Sequence, residues 1–188
     1  MSEMTDELLA DAKERMQKAV EATVNQFGTV RTGRANPHLL DRIYVDYYGA
    51  QTPLKQLATL AAPEPRLLTI TPYDKTAMKA IEKAIRDSDL GLNPANDGNI
   101  MRLSVPELTE DRRRDLVKVA RHIAEEGRVS IRNVRRDVMH DLRELKSEGD
   151  VGADEEKRAE AELQKLTDER VAELDGFLKA KEAEILEV

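Results

Sequence analysis

The stretch from residue 109 to residue 146 reads TEDRRRDLVKVARHIAEEGRVSIRNVRRDVMHDLRELK, and its periodicity determines the fold. When its residues are placed at about 100° per step on a helix, the apolar ones gather on one face. That face comprises Leu116, Ala120, Ile123, Gly127, Ile131, Val134, Val138 and Leu145. The pattern predicts one long amphipathic helix, which needs other helices to cover its apolar face.

The polar side of this helix is sorted by charge. Its basic arc of about 100° contains Arg121, Arg128, Arg132, Arg135, Arg136 and Arg143. The acidic residues mostly lie elsewhere on the helix, with Glu125 as the exception. One interpretation is a solvated face with local ion pairs, which contribute only a few tenths of a kcal/mol each. The other is an anionic partner, because arginine binds phosphate in a bidentate manner.

The overall composition is acidic and poor in aromatic residues. The chain has 188 residues, a net charge of −7, 36% charged residues and 3% aromatic residues, which is typical of long charged helices. The charge is uneven, however. Residues 109–146 contain 11 Lys or Arg and 8 Asp or Glu, whereas residues 147–188 contain 6 and 14. A locally basic surface on an acidic protein indicates a particular RNA or DNA site rather than indiscriminate coating of nucleic acid.

Several classes of protein are disfavoured. The chain has no cysteine, so disulfides, thiolate metal sites and thiol nucleophiles are excluded. It has neither a signal-peptide pattern nor an apolar run of membrane-spanning length, and we expect a cytoplasmic protein with no membrane partner. Phosphate-binding loops, dinucleotide fingerprints and nucleophile elbows are missing, and the three histidines are dispersed. We therefore expect no catalytic residues, no metal, no cofactor and no enzymatic activity.

Long helices are also predicted at both ends of the chain. A first helix is indicated by apolar residues that recur from Leu9 to Val30, and it should end near Gly33 because the pattern breaks there. A third helix follows a turn at Gly149 and Gly152. Its heptad-like stripe comprises Leu163, Leu166, Arg170, Leu174, Phe177, Lys181 and Ile185.

The middle of the chain has a different pattern. Strands are predicted at residues 43–48, 57–61, 66–71 and 100–105, a helix at 75–87, and a loop around Gly91, Pro94 and Gly98. The predicted class is α+β: an elongated three-helix bundle built from residues 1–30 and 106–188, with a small α/β, β-sandwich-like domain inserted at residues 31–105. Two segments of chain would connect the inserted domain to the bundle. They predict a two-strand hinge at Thr32, Gly33, Ser104, Val105 and Pro106.

Six segments carry a resemblance to a known family. They are VRTGRA at 30–35, YYG at 47–49, SDLGLNP at 88–94, LTEDRR at 108–113, RNVRRD at 132–137 and QKLTD at 164–168. Each is weak alone, but in this order they make the chain resemble the bacterial ribosome recycling factors over essentially its whole length. His38 stands in a loop where a smaller residue is expected, and it puts none of the motifs in doubt.

The resemblance implies a monomer of L-shaped, near-tRNA outline that binds between the ribosomal subunits after termination. The three-helix domain would lie on large-subunit rRNA. Elongation factor G with GTP would then drive the separation of the subunits, releasing mRNA and tRNA, and the factor itself would hydrolyse nothing.

The resemblance also implies which side chains contact rRNA. They are Arg128, Arg132, Arg135 and Arg136, together with Arg31, Arg34 and Arg112 near the hinge end. For Arg31 and Arg34 the alternative is a bond to backbone carbonyls that ties the hinge. Two rival functions stay open: a coiled-coil adaptor that binds proteins, and an enzyme that uses the tyrosine-rich middle domain, for which the sequence gives no positive sign.

Overall fold

The computed structural model describes residues 2–187, which form two compact units. The first unit comes from both ends of the chain, up to Thr32 and from Glu110 onwards, and the second comprises Gly33–Thr109. The predicted α+β class is therefore confirmed, with helices at both ends and a sheet-containing unit inserted between them. Within residues 2–187, no helix combines the length and the apolarity that crossing a lipid bilayer requires.

The helices and strands follow one another in a simple order. They are α1 (Glu3–Phe27), β1 (Tyr44–Tyr47), β2 (Ala50–Pro53), α2 (Leu54–Leu57), β3 (Ala58–Glu64), β4 (Leu67–Pro72), α3 (Met78–Arg86), β5 (Pro94–Asn96), β6 (Met101–Ser104), α4 (Glu110–Glu148) and α5 (Ala153–Leu186). Short 3₁₀ turns occur at Pro37–Leu40 and Lys75–Ala77.

The first unit is a bundle of α1, α4 and α5. Helix α4 has 39 residues, which corresponds to a length of about 58 Å. Its predicted apolar face is buried at most positions, although Ile123 and Leu145 are only half-buried. The largest fully buried side chains of this unit are Met16, Ile131, Leu142 and Leu163. Burial of this apolar surface is the main stabilising contribution to the bundle.

The three helices pack closely around Gly127. A Cβ atom added there would lie 2.6 Å from Leu174 Cδ1 of α5 and closer still to Thr23 Oγ1 of α1. Because real Cβ atoms do not approach other atoms so closely, the bundle can pack at this level only around a glycine.

The end of the bundle near residue 2 is held by polar contacts. Glu155 Oε1 at the start of α5 accepts hydrogen bonds from the Ser2 backbone N–H, at 2.5 Å, and from Thr5 Oγ1, at 2.8 Å. The bonds from Ser2 and Thr5 lower the pKa of Glu155 to about 2. These bonds tie the first turn of α1 to α5.

The stripe predicted for α5 is only partly buried. Phe177 is 42% exposed, whereas the Arg170 and Lys181 side chains are 20% and 11% exposed. Arg170 pairs with Glu173 at 2.5 Å, and Lys181 pairs with Glu184 at 3.4 Å. A straight helix drifts about 20° per heptad against a seven-residue repeat, so a heptad stripe does not keep all its members facing the neighbouring helices.

The second unit contains a two-stranded sheet, β1–β2, and a four-stranded antiparallel sheet in the order β3-β4-β6-β5. All four predicted strands and the predicted helix are present within a few residues. Strands β2 and β5 were not predicted. Strand β5 lies in the segment predicted as a loop. It begins at Pro94, which has no backbone N–H, and an edge strand tolerates proline because its outer side pairs with no other strand. The core of this unit includes Leu54, Leu68, Ile70, Ile81, Ile85, Met101 and Leu103.

The chain passes between the units at Thr32/Gly33 and at Thr109/Glu110. Thr32 Oγ1 donates a hydrogen bond to Glu184 within the first unit, at 2.9 Å. In the second unit, the Val105 N–H donates to the Arg66 carbonyl at 2.9 Å, and Ser104, Val105 and Pro106 all belong to this unit. Gly33 has a φ of +73°, and a Cβ there would lie 3.0 Å from Leu108 Cγ. The hinge itself stays a prediction.

Candidate nucleic-acid interface

Four arginines of α4 line one cleft of about 310 Å³, which we call the arginine cleft. They are Arg132, Arg135, Arg136 and Arg143, and Asn133 and Met139 complete the lining. The spacing of three, four and seven residues places these side chains on one face of the helix, away from the buried stripe. From Arg132 to Arg143, the four arginines extend about 16 Å along the axis of α4.

The positive charge in the cleft is weakly compensated. Arg136 Nη2 donates to the Asn133 amide oxygen at 2.8 Å, and Arg135 Nη1 donates to Gln164 at 3.2 Å, so both of these bonds go to neutral groups. Two of the arginines have carboxylate partners at long range: Arg132 Nη1 donates a hydrogen bond to Glu125 at 3.4 Å, and Arg143 Nε pairs with Glu160 at 3.8 Å. Exposed pairs of this kind contribute about 0–1 kcal/mol, so the guanidinium donors remain available to an anion.

Arg128, a predicted contact residue, is held in a different way. Its side chain is 20% exposed, and it bonds Asp175 of α5 at 2.6 and 2.8 Å and Glu125 at 2.9 Å. Partial burial lowers the pKa of Arg128, but the hydrogen bonds to these two carboxylates outweigh burial and raise it. Arg121 is likewise bound to Glu182 of α5, at 2.6 Å. Helix α5 therefore supplies carboxylates to one part of the arginine arc.

The remaining predicted residues are not part of this cleft. Arg112 is exposed in the first turns of α4, and at 20 residues from Arg132 it is about 30 Å away along the helix axis. Arg31 is exposed after the end of α1 in the first unit, and Arg34 is exposed at the start of the second. The structure thus brings together Arg132, Arg135 and Arg136 in the cleft, while the other four predicted residues do not line it.

Sequence reasoning left Arg143, Asn133 and Met139 out of the site. The sequence alone could have placed Arg143 in the site, because this residue lies in the basic arc seven residues after Arg136, on the same face of the helix. The sequence does not reveal the role of Gln164, because this residue belongs to α5 and contacts Arg135 only through the packing of the two helices.

The chemistry of the cleft is that of an anion site. Guanidinium groups stay protonated and offer paired N–H donors that match phosphate oxygens. The residues that line it include no carboxylate, histidine or hydroxyl. In the described part of the chain, no group of three His, Cys, Asp or Glu is suited to holding a metal ion. The arrangement suits binding to a phosphate-rich surface.

Comparisons with known proteins agree over nearly the whole chain. The sequence model of the ribosome recycling factor family matches residues 23–186. The chain is 62% identical over 188 residues to the ribosome-recycling factor of Rubrobacter xylanophilus, and the match covers all of both proteins. It is 54% identical over 185 residues to that of Bacillus subtilis, covering 98% of this chain and 100% of the relative.

Solved structures give the same result. The solution structure of a ribosome recycling factor matches with a TM-score of 0.78 and 43% identity, over 100% of both chains. A second match has a TM-score of 0.64 and 52% identity, covering 97% of this chain and 98% of the other. That second structure is of the T. thermophilus ribosome recycling factor and E. coli elongation factor G bound to the E. coli post-termination complex.

Proposed function

Because the chain belongs to the ribosome recycling factor family, we propose that it binds the ribosome after termination and acts there with elongation factor G. Together with this factor and GTP, it splits the ribosome into subunits, and mRNA and tRNA are released for a new round of translation. The relative bound with elongation factor G to a post-termination complex supports this proposal.

The arginine cleft docks the bundle on large-subunit rRNA. The observation that carries this proposal is the weakly compensated charge of Arg132, Arg135, Arg136 and Arg143 around one cleft. Guanidinium forks bind successive phosphates, and the rigid helix fixes their spacing. Arg128 would have to leave Asp175 and Glu125 to reach RNA, so its direct contribution is smaller. Arg31, Arg34 and Arg112 would extend the contact beyond the cleft.

The recycling step follows from the two-unit construction. The bundle is held on rRNA, and elongation factor G acts on the second unit. The connections at Thr32/Gly33 and Thr109/Glu110 form a hinge between the units. Force transmitted through the bundle breaks a bridge between the subunits. This chain contributes binding and mechanical coupling, and GTP hydrolysis belongs to elongation factor G.

The docking proposal is tested by measuring affinity for intact ribosomes across a salt series. We expect Arg132→Ala to weaken binding by about 1–3 kcal/mol and to make its salt dependence less steep, because one phosphate contact is lost. Arg158→Ala is the matched control, since Arg158 is an exposed arginine of α5 outside the cleft. If the wild type did not bind ribosomes, a protein-binding adaptor would be favoured. Equal losses in both variants would move the contact to another face.

The hinge proposal is tested with a matched pair of glycines. Gly33 and Gly91 have similar positive φ values, +73° and +66°, so alanine strains the backbone similarly at both positions, although only the Cβ at Gly33 also presses on a side chain, that of Leu108 at 3.0 Å. Only Gly33 lies where the units connect. We expect Gly33→Ala to leave ribosome binding unchanged while slowing splitting about tenfold, which corresponds to about 1.4 kcal/mol in the barrier. Gly91→Ala should split ribosomes at the wild-type rate. Normal splitting by Gly33→Ala would show that the hinge is elsewhere.

A further inference from the structure

The exposed large apolar residues in the described part of the second unit are all tyrosines. Tyr44, Tyr48 and Tyr73 are 56%, 83% and 70% exposed. The docking of the bundle on rRNA gives none of them a role. Tyrosine exposed in this way is enriched at protein interfaces, where it supplies contact area at low entropic cost. We call Tyr47, Tyr48 and Gly49 the tyrosine turn.

Tyr48 has an unfavourable backbone conformation. Strands β1 and β2 are joined by the two residues Tyr48 and Gly49, with Tyr47 paired to Ala50. Both loop residues have positive φ, +51° and +81°, as a type I′ turn requires. Asn-Gly is the preferred sequence for this turn, and a bulky aromatic residue at positive φ is strained. Turn formation alone therefore does not explain a tyrosine at this position.

The ring of Tyr48 is nevertheless held in place. It packs edge-to-face on Tyr47, with the ring centroids 4.6 Å apart and an interplanar angle of 73°. The Tyr47 hydroxyl in turn donates to Asp74 Oδ2 at 2.8 Å. Asp74 is also fixed, because its other oxygen accepts bonds from the backbone and hydroxyl of Thr76. The strained turn thus presents a largely exposed aromatic surface in which one ring packs on the other.

The charge around this surface indicates what it contacts. Asp46 accepts from the Gly49 N–H at 3.0 Å, and Asp74 accepts from the Tyr47 hydroxyl, so two carboxylates are bonded to the turn itself. Arg42 and Lys83 line a pocket with Tyr44 and Asp46, and these cations lie beside strand β1 rather than in the turn. The two carboxylates bonded to the turn repel the phosphates of RNA. They favour a cation, because a guanidinium or ammonium group is attracted both by an aromatic face and by nearby carboxylates.

We propose that the tyrosine turn is the docking surface for a protein that places an arginine or lysine side chain on Tyr48. The inference rests on the proposed function, under which this protein is elongation factor G. The strain at Tyr48 is retained because the ring is needed for that contact, and Tyr47 and Asp74 position it.

The test uses Tyr48→Asn in the full chain, because asparagine suits the turn but removes the ring. We expect Tm to stay the same or to rise by a few degrees, and ribosome binding without elongation factor G to be unchanged. The concentration of elongation factor G that gives half-maximal splitting of post-termination ribosomes should rise about tenfold or more. Tyr48→Phe keeps the ring and should behave like the wild type. Tyr44→Asn removes a different exposed tyrosine, at the other end of β1 and four residues before Tyr48, and this variant should also split ribosomes normally.

Each other outcome overturns the inference. An unchanged half-maximal concentration in Tyr48→Asn would show that the ring makes no contact with elongation factor G. An equal loss in Tyr48→Phe would show that the hydroxyl, rather than the aromatic face, carries the contact. Weaker ribosome binding without the factor would place the contact on the ribosome, and a lower Tm with lower activity would make the role structural. Failure of the proposed function is distinguishable, because the wild type itself would then neither bind nor split ribosomes.

Discussion

Gly127→Ala is expected to lower the free energy of unfolding of the helical unit by about 2–3 kcal/mol. In a solvent-exposed helix the same change would stabilise by about 1 kcal/mol, because alanine has the higher helix propensity. Here the new Cβ would overlap Thr23 Oγ1 and lie 2.6 Å from Leu174 Cδ1, so either α1 and α5 move apart or both side chains leave their positions. Urea unfolding followed by far-ultraviolet circular dichroism measures the loss.

Gly176→Ala is the matched control for this prediction. Gly176 also lies inside a long helix, α5, but an added Cβ there meets nothing within 4 Å. We expect this variant to be more stable than the wild type by up to about 1 kcal/mol. Thr23→Ala in the Gly127→Ala background should restore part of the lost stability, because it removes the nearer overlap. Equal stability of Gly127→Ala and the wild type would mean that the helices do not meet as closely as described.

The second large effect is expected in ribosome binding. Replacing Arg132, Arg135 and Arg136 together by glutamine should weaken the affinity for ribosomes by a factor of about 10³ or more, since each phosphate or base contact contributes about 1–3 kcal/mol. The slope of log affinity against log salt should fall by about 3, because three cations no longer displace counterions. Two of the three side chains are exposed and Arg135 is half-buried, so Tm should change little.

The corresponding triple lysine variant separates charge from geometry. Lysine keeps the positive charge but lacks the planar fork, so it should retain most of the salt dependence while losing part of the affinity. Wild-type affinity in the lysine variant would indicate a purely electrostatic contact. Wild-type affinity in the glutamine variant would contradict docking through the arginine cleft.

The sequence by itself determined the fold class and the position of the basic face. The helical period of residues 109–146 depends only on local geometry, and the matching stripes at both ends of the chain required a shared bundle. The short strands β2 and β5 were missed because three or four residues carry little pattern of their own, and their pairing depends on partner strands. Periodicity likewise placed Arg132, Arg135 and Arg136 on one face of the helix.

Only the tertiary structure decided which charges remain available. The carboxylates of Asp175 and Glu182 lie 47 and 61 residues away from Arg128 and Arg121, and α5 brings them into contact. A helical wheel of α4 cannot contain that information, because electrostatic compensation depends on distance in space. The same holds for Gly127, which local propensity disfavours in a helix. Its absent side chain leaves the space that Thr23 and Leu174 fill from two other helices.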